Sequence, residues 1–441
     1  MKKLLKKVFK KGVEKVLPKN FLPKFLKKEN DFLKIGKKRF SLKKIKNIYL
    51  LGAGKASFLM AKKASEILGD LIKEGAIICH YLPKRKIKKI FLYQGGHPLP
   101  KKEGVLGAKK ILEIAKKAEK KDLILFLLSG GGSDLMSFPQ NGISLSDYKK
   151  TVKLLKKVPA DIYEVNIVRK HIDKLKGGKL RLFAKNAFFF ATLALSDVPT
   201  INDDPSVIAS GPTVPDPSTF EDAINVLKKY SLLDKVPKRV RNFLEKGKKG
   251  EIEENPKPGD PLFTSQKTLY LICAKNDDAL TEAKKELQKE GFKGKIIKEK
   301  IKGEVQKTAQ KIFQEIKKFQ KKKKFFLIFG GEPTVEIKTK SPGKGGRMSY
   351  LCALLAKKLY QEKLFNIWVL CGGTDGVDGQ SDIAGGIISA KTFEEAKKRK
   401  INYEKYLQKF DSATLLKRLK AELKTGPTGT NVADIVICLF K

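Results

Sequence analysis

The sequence predicts an α/β fold of two domains with mostly parallel sheets covered by helices, facing each other across a cleft. Three observations predict it. A chain of 441 residues exceeds what one hydrophobic core usually organises, which points to two or three domains, and two is the expectation. Short apolar runs at residues 48–51, 123–128, 188–195, 269–273, 325–329, 367–371 and 435–440 alternate with longer Lys-rich stretches at helical spacing. Runs of that kind are strands buried on both faces by helices. Each run also ends in a glycine or polar loop, and ligands of open α/β sheets bind outside the carboxyl ends of the strands.

The composition agrees: 41% hydrophobic and 9% aromatic residues place the chain in the globular range despite 32% charged residues. Gly247, Gly250, Pro256, Pro258, Gly259 and Pro261 interrupt the periodicity, so the domains are expected at 1–250 and 260–441. The last run, 435–440, fits either sheet. The formal net charge is +47, from 85 lysines and nine arginines against 47 acids. The lysines are spread along the helices rather than gathered in a stripe, and no helix-turn-helix, zinc-ligand spacing or ribonucleoprotein motif accompanies them, so no specific nucleic-acid partner is expected. A positive field of this size favours the arrival of anionic substrates.

Five cysteines, with no C-x-x-C pair, lie mostly in apolar stretches and read as buried thiols of a cytoplasmic protein. No stretch approaches the ~20 apolar residues of a membrane span. The N-terminal pattern of Leu5, Val8, Phe9, Val13 and Val16 among lysines predicts a docking helix. Oligomeric state is left open, a homodimer included.

Along the chain, the run at 48–51 ends in Gly52-Ala53-Gly54-Lys55 before a helix from about Ala56. This is a poor dinucleotide fingerprint, because Ser57 stands where a third glycine or alanine belongs and no acid ends the next strand. A lysine at a helix N-terminus opposes the helix dipole, so Lys55 reads as an anion contact. The run at 123–128 feeds Ser129, Gly130, Gly131, Gly132 and Ser133, whose amides can cradle phosphate, although Asp134 would compete with an anion. Asp197 follows the run at 188–195 and is a candidate metal ligand or general base, whereas Asp203 and Asp204 read as turn residues. Asn166, Arg169 and Lys170 either face a charged ligand or precede a helix C-cap at Gly177-Gly178. Gly345, Gly346 and Arg347 open a helix, where Arg347 can clamp a phosphate in two-point fashion. Asp375 and Asp378, bracketed by glycines, suit Mg²⁺ coordination or deprotonation of a hydroxyl.

Taken in order, Gly52-Ala53-Gly54-Lys55-Ala56, Gly96-His97-Pro98, Ser129-Gly130-Gly131-Gly132-Ser133, Val168-Arg169-Lys170-His171, Ser196-Asp197-Val198, Ser210-Gly211-Pro212-Thr213, Gly330-Gly331-Glu332, Gly345-Gly346-Arg347, Thr374-Asp375-Gly376-Val377-Asp378-Gly379 and Thr425-Gly426-Pro427-Thr428-Gly429-Thr430-Asn431 resemble the glycerate 2-kinase family with a MOFRL C-terminal domain, once labelled hydroxypyruvate reductase. The resemblance spans nearly the whole chain. It implies a Rossmann-like N-terminal domain, a MOFRL-type C-terminal domain and ATP-dependent phosphorylation of D-glycerate at its 2-hydroxyl, with Mg²⁺ as cofactor. The family's important lysine and arginine fall on Lys55 and Arg347, and its loop aspartates on Asp375 and Asp378. Together with the reading of the residues, the catalytic candidates are Lys55, Arg347, Asp197 and Asp375, the nucleotide candidates Gly130, Gly131, Gly132, Ser133, Gly345 and Gly346, and the metal candidates Asp197, Asp375 and Asp378.

The chain departs from the family pattern at Met348-Ser349-Tyr350, Thr200-Ile201-Asn202 and Ile172-Asp173, changes that bear on substrate choice. An NAD(P)-dependent hydroxypyruvate reductase and a catalytically inactive binding protein of the same fold are the alternatives.

Overall fold

The apolar runs are strands whose side chains are buried on both faces. In a computed structural model, which describes residues 1–198, 203–337, 339 and 341–441, contacts divide the chain into two units. One comprises Phe21–Ser196 with residues 203–273. The other comprises Met1–Asn20, Ala274–Lys441 and a short stretch that begins at Asp197.

The first of these units opens with an antiparallel meander, β1 (Leu26–Glu29), β2 (Phe32–Ile35) and β3 (Lys38–Ser41). Its main sheet contains β4 (Asn47–Ala53), β5 (Ile72–Cys79), β6 (Ile90–Gln94), β7 (Asp122–Ser129), β8 (Phe189–Leu195) and β9 (Thr268–Ala274). The order is β6-β5-β4-β7-β8-β9, and the pairs from β6 through β8 are all parallel. Every residue of β7 and β8 is buried, as central strands of a covered parallel sheet require. The helices Ser57–Leu68 and Lys102–Lys117 pack against β5. A separate apolar cluster around Tyr148, Val168, Ile224 and Leu227 joins the helices Leu145–Leu155, Ile162–His171, Phe220–Lys229 and Lys238–Lys248. Three of these helices start with a reciprocal side-chain cap, Ser144 with Asp147, Asp161 with Glu164 and Thr219 with Asp222, each contributing about 1 kcal/mol.

The other unit holds β10 (Lys293–Ile296), β11 (Ile301–Glu304), β12 (Phe325–Thr334), β13 (Ile367–Gly373), β14 (Gly385–Ser389), β15 (Glu422–Leu423) and β16 (Asp434–Phe440). The C-terminal strand, whose sheet the sequence leaves undecided, joins this one at its centre: β16 lies between β12 and β13, antiparallel to both. The sheet is therefore mixed, with β10 and β11 parallel to β12 and the pairs around β16, β13, β14 and β15 antiparallel. Burial on both faces made these strands read like those of a parallel sheet, because burial does not encode direction.

The insertion of β16 positions the site. The carboxyl ends of β12 and β13 and the amino end of β16 reach the same edge of the sheet, where Asp434 pairs in register with Gly331 on one side and Gly373 on the other. The N-terminal helix Lys2–Lys15 docks in this unit as its apolar spacing predicts. Leu5, Val8, Phe9 and Val13 are buried, the helix packs on Asn276–Lys289, and Lys7 and Lys15 reach Glu290 and Glu282. Among the described residues no helix is long and apolar enough to cross a membrane.

Candidate functional site

The strand ends around Asp434 gather the charged groups of their unit. Arg347 opens the helix Arg347–Gln361 and turns its guanidinium back to β16. Nε donates to Asp434 Oδ2 at 2.5 Å and Nη2 donates to Oδ1 at 3.2 Å, a two-point contact with a carboxylate that is 1% exposed. The third nitrogen, Nη1, lies 2.9 Å from Glu332, which is half-exposed. Burial works against the charge of Arg347, but Asp434 and Glu332 outweigh it and hold the guanidinium charged well above its ordinary range. Burial raises the carboxyl of Asp434 above the usual carboxylate range, and Arg347 opposes that rise.

Gly373 joins Asp375 to this group. A Cβ at Gly373 would come within 3.2 Å of Asp375 Oδ1 and 3.4 Å of Asp434 Oδ1, so both carboxylates face the same bare Cα. Asp375 is half-buried, its Oδ1 accepts the amide of Val377, and its carbonyl accepts the amide of Thr428. Thr428 Oγ1 donates to Thr374 O, and Thr374 Oγ1 donates to Ala433 O, which ties loop 374–379 to loop 425–433. Asn431 in the second loop donates from Nδ2 to Asp197 Oδ2 at 3.1 Å. Asp197, Arg347 and Asp375 thus all belong to this unit, with Glu332, Asn431 and Asp434 beside them.

Asp378 is placed differently. Its Oδ1 accepts the amide of Met348 at 3.0 Å and its Oδ2 the amide of Ser349 at 2.7 Å, so both carboxylate oxygens cap the helix that Arg347 opens. Burial raises its carboxyl, and the Ser349 hydroxyl and these amides oppose the rise. Gly345 and Gly346 serve the same junction. A Cβ at Gly346 would lie 2.5 Å from Asp378 Oδ1, and the Gly346 amide donates to Ser349 Oγ. The departures at 348–350 face inward: Met348 and Ser349 are fully buried, Ser349 Oγ is 2.7 Å from Ser412 Oγ, and Tyr350 stacks on Phe410. These three side chains change packing rather than a ligand-facing surface. Thr200, Ile201 and Asn202 lie outside the described residues.

In the other unit, the loops after β4 and β7 abut. The Lys55 amide donates to Gly130 O at 2.9 Å and the Ala56 amide to Ser129 Oγ at 3.0 Å. Gly131 has φ +80°, a conformation glycine adopts without strain, and a Cβ there would meet His97 Cδ2 at 3.2 Å and Lys55 Cγ at 3.3 Å. Lys55, His97 and the 130–133 loop therefore converge. Gly131 caps the one-turn helix Gly132–Leu135, whose first amides have no intrahelical acceptor, whereas Ser133 turns its hydroxyl to Ser210 Oγ at 3.0 Å. Asp134, which would compete with an anion, is paired with Lys156 and Arg169 at 3.0 Å each.

Asn166, Lys170, His171 and Asp173 are buried, each with a polar partner inside the protein. Asn166 bonds Ser210, Lys170 bonds Asp216, His171 bonds Glu254, and Asp173 accepts from Lys176 at 2.6 Å. Gly177 and Gly178 lie beyond that helix, and Gly178 caps the next one. Asp204 accepts the amide of Ser206, a turn as expected.

Burial, then the nearby Lys55, lowers the imidazole of His97 to about 4, so it is neutral at physiological pH and not a cation. Its contribution to stability is complete above the ordinary histidine value of 6.5 and fades as pH falls toward 4. In an NMR titration with His97→Asn as assignment control, the His97 resonance is expected to hold its neutral position down to pH 5, and a midpoint near 6.5 would contradict this.

Glu332 and Asp434 carry no assignment in the sequence: Glu332 stands within the Gly330-Gly331-Glu332 motif without a role, and Asp434 has no signal beyond preceding the last apolar run. Their placement beside Arg347 depends on strand register, which local pattern does not reveal. Among the described residues, no group of three or more His, Cys, Asp or Glu side chains is arranged to hold a metal ion.

Residues 4–245 match a domain of unknown function, DUF4147, and residues 325–434 match the MOFRL family. The chain is 36% identical over 419 residues to a glycerate 2-kinase of Pyrococcus horikoshii, covering 94% of this chain and 91% of that protein. The chain belongs to the glycerate 2-kinase family. Another member, the D-glycerate 2-kinase of Thermotoga maritima, is 35% identical over 448 residues and is covered to 98%. The crystal structure of a glycerate kinase from Thermotoga maritima superposes with a TM-score of 0.83 at 33% identity, covering 100% of this chain and 99% of that one. The motifs at 330–332, 345–347, 374–379 and 425–431 supply residues around Arg347 and Asp375, and those at 52–56, 96–98 and 129–133 supply the convergent loops at Lys55, His97 and Gly131.

Proposed function

We propose that this chain transfers the γ-phosphoryl group of ATP to the 2-hydroxyl of D-glycerate, giving ADP and 2-phosphoglycerate. The observation that carries the reading is the Arg347 guanidinium, held in two-point contact by buried Asp434 with its remaining nitrogen on half-exposed Glu332, next to the half-buried carboxylate of Asp375. Phosphoryl transfer asks the protein for positioning and charge stabilisation, and this arrangement offers both.

In this reading Arg347 exchanges Glu332 for an oxygen of the transferring phosphoryl group. Asp375, with Asp197 as the second candidate, accepts the proton of the attacking hydroxyl. Lys55 and the amides around Gly131, Gly132 and Ser133 take a nucleotide phosphate or the glycerate carboxylate, with neutral His97 as a hydrogen-bonding neighbour. Asp378, Gly345 and Gly346 support the reaction by fixing the start of the Arg347 helix.

Magnesium enters with the nucleotide as Mg-ATP. Mg²⁺ is commonly held through one or two carboxylates plus substrate phosphates. Whichever of Asp375 and Asp197 does not accept the hydroxyl proton would hold it, and when bound it neutralises charge on the β- and γ-phosphates.

The matched stretches at 4–245 and 325–434 support two domains near 1–250 and 260–441, with two corrections from the contacts: Met1–Asn20 packs with the C-terminal unit, and the N-terminal unit runs on through β9 to Cys273. Five cysteines buried as free thiols support assignment to the cytoplasm.

The test is ADP release from Mg-ATP as a function of D-glycerate. Saturable release that requires both substrates supports the proposal. No release with glycerate, together with oxidation of NADH or NADPH by hydroxypyruvate, would replace it with a reductase.

A further inference from the structure

We infer that Asp434 is the positioning residue that orients Arg347 for phosphoryl transfer, an inference that rests on the functional reading above. The register places Asp434 between two strands whose facing residues are Gly331 and Gly373. With no side chain on either neighbour, its carboxylate can lie along the sheet edge beneath the start of the Arg347 helix. Both of its oxygens engage Arg347, through Nε and Nη2, so the plane of the guanidinium is fixed and not just its charge.

What remains is Nη1. It is the nitrogen presented to Glu332, whose side chain is 40% exposed against 1% for Asp434. The two acids therefore play different parts. The buried one holds the arginine permanently, and the exposed one occupies the position an incoming anion would take. Lysine cannot reproduce the arrangement, because a single ammonium has no planar fork to receive two carboxylate oxygens.

The experiment compares Asp434→Asn, Arg347→Lys and the double variant for kcat and KM with D-glycerate and Mg-ATP, with circular dichroism and thermal melts on each. Asp434→Asn is expected to lower kcat by about 100-fold, the scale of a misplaced catalytic group, while KM for ATP moves by less than about threefold. In the Arg347→Lys background, where the fork is already gone, the same substitution is expected to add less than about twofold. A purely structural role would instead lower activity by the same factor in both backgrounds.

Asp434→Asn within about threefold of the wild-type kcat, or losses that multiply in the double variant, overturns the inference. Should Asp434→Asn not fold, Asp434→Glu keeps the charge but displaces the oxygens, and a wild-type rate there overturns it equally. A crippled Arg347→Lys beside a fully active Asp434→Asn removes only the role of Asp434. A wild-type protein without glycerate turnover, or Arg347→Lys at the wild-type rate, removes the functional reading and the inference together.

Discussion

Replacing Arg347 by alanine is expected to lower kcat for glycerate phosphorylation by about 10³-fold or more, the scale of an arginine that stabilises charge on a transferring phosphoryl group. The physical reason is that its guanidinium presents a preoriented donor where negative charge develops, at no cost of reorganisation during the reaction. The same substitution leaves buried Asp434 without its cation. Breaking one side of a buried pair typically costs about 3–5 kcal/mol, so the melting temperature should fall as well. Single-turnover kinetics at a temperature where the variant is folded would separate the two effects. A folded Arg347→Ala protein with kcat within about tenfold of wild type would remove Arg347 from the reaction.

The second large effect is expected at Lys55. Lys55→Ala should reduce kcat/KM for the reaction by about 10²–10³-fold, as loss of a single preorganised charge-stabilising group does. Its backbone is fixed by the Gly130 carbonyl and the neighbouring Ala56 amide by Ser129, so the loop should keep its shape without the side chain. A thermal melt of the variant beside that of Arg347→Ala separates loss of fold from loss of rate. Splitting kcat from KM for each substrate then identifies its partner. A rise confined to KM for glycerate would assign Lys55 to the carboxylate, and a loss confined to kcat would assign it to the transferring group.

Much of the fold could be read from local pattern. The runs at 48–51, 123–128 and 188–195 became β4, β7 and β8, because a covered parallel sheet imposes continuous apolar stretches with polar loops at their ends. The meander formed by β1, β2 and β3 gave no such signal. Its strands are four residues each, rich in lysine, and turn at Asn30 and Gly36, both with positive φ. The insertion of β16 between β12 and β13 was likewise invisible, since the apolar run at 435–440 specifies burial but neither partner nor direction.

The site divides along the same line. Lys55, Arg347 and Asp375 stand out in the sequence because glycine-flanked charges after apolar runs have a local signature, and the structure places Arg347 and Asp375 beside Asp434 and Lys55 beside Gly131. Asp378 carries that signature too, yet its oxygens are used by two helix amides, and only the folded loop distinguishes a cap from a ligand. Asp434 acquires its place beside Arg347 from Gly331 and Gly373, roughly 100 and 60 residues away in sequence, an alignment set by strand register. Met348, Ser349 and Tyr350 pointed the other way. Their position after Arg347 suggested a ligand-facing surface, but the helical turn carries them into the core.

Identification of the product most directly tests whether the groups around Arg347 and Lys55 serve phosphoryl transfer to glycerate. The chain would be incubated with Mg-ATP and D-glycerate, and the phosphorylated product assigned by ³¹P NMR against authentic 2- and 3-phosphoglycerate. The account requires 2-phosphoglycerate formed in step with ADP. Phosphorylation at the 3-position, or ATP left intact beside glycerate, would contradict it.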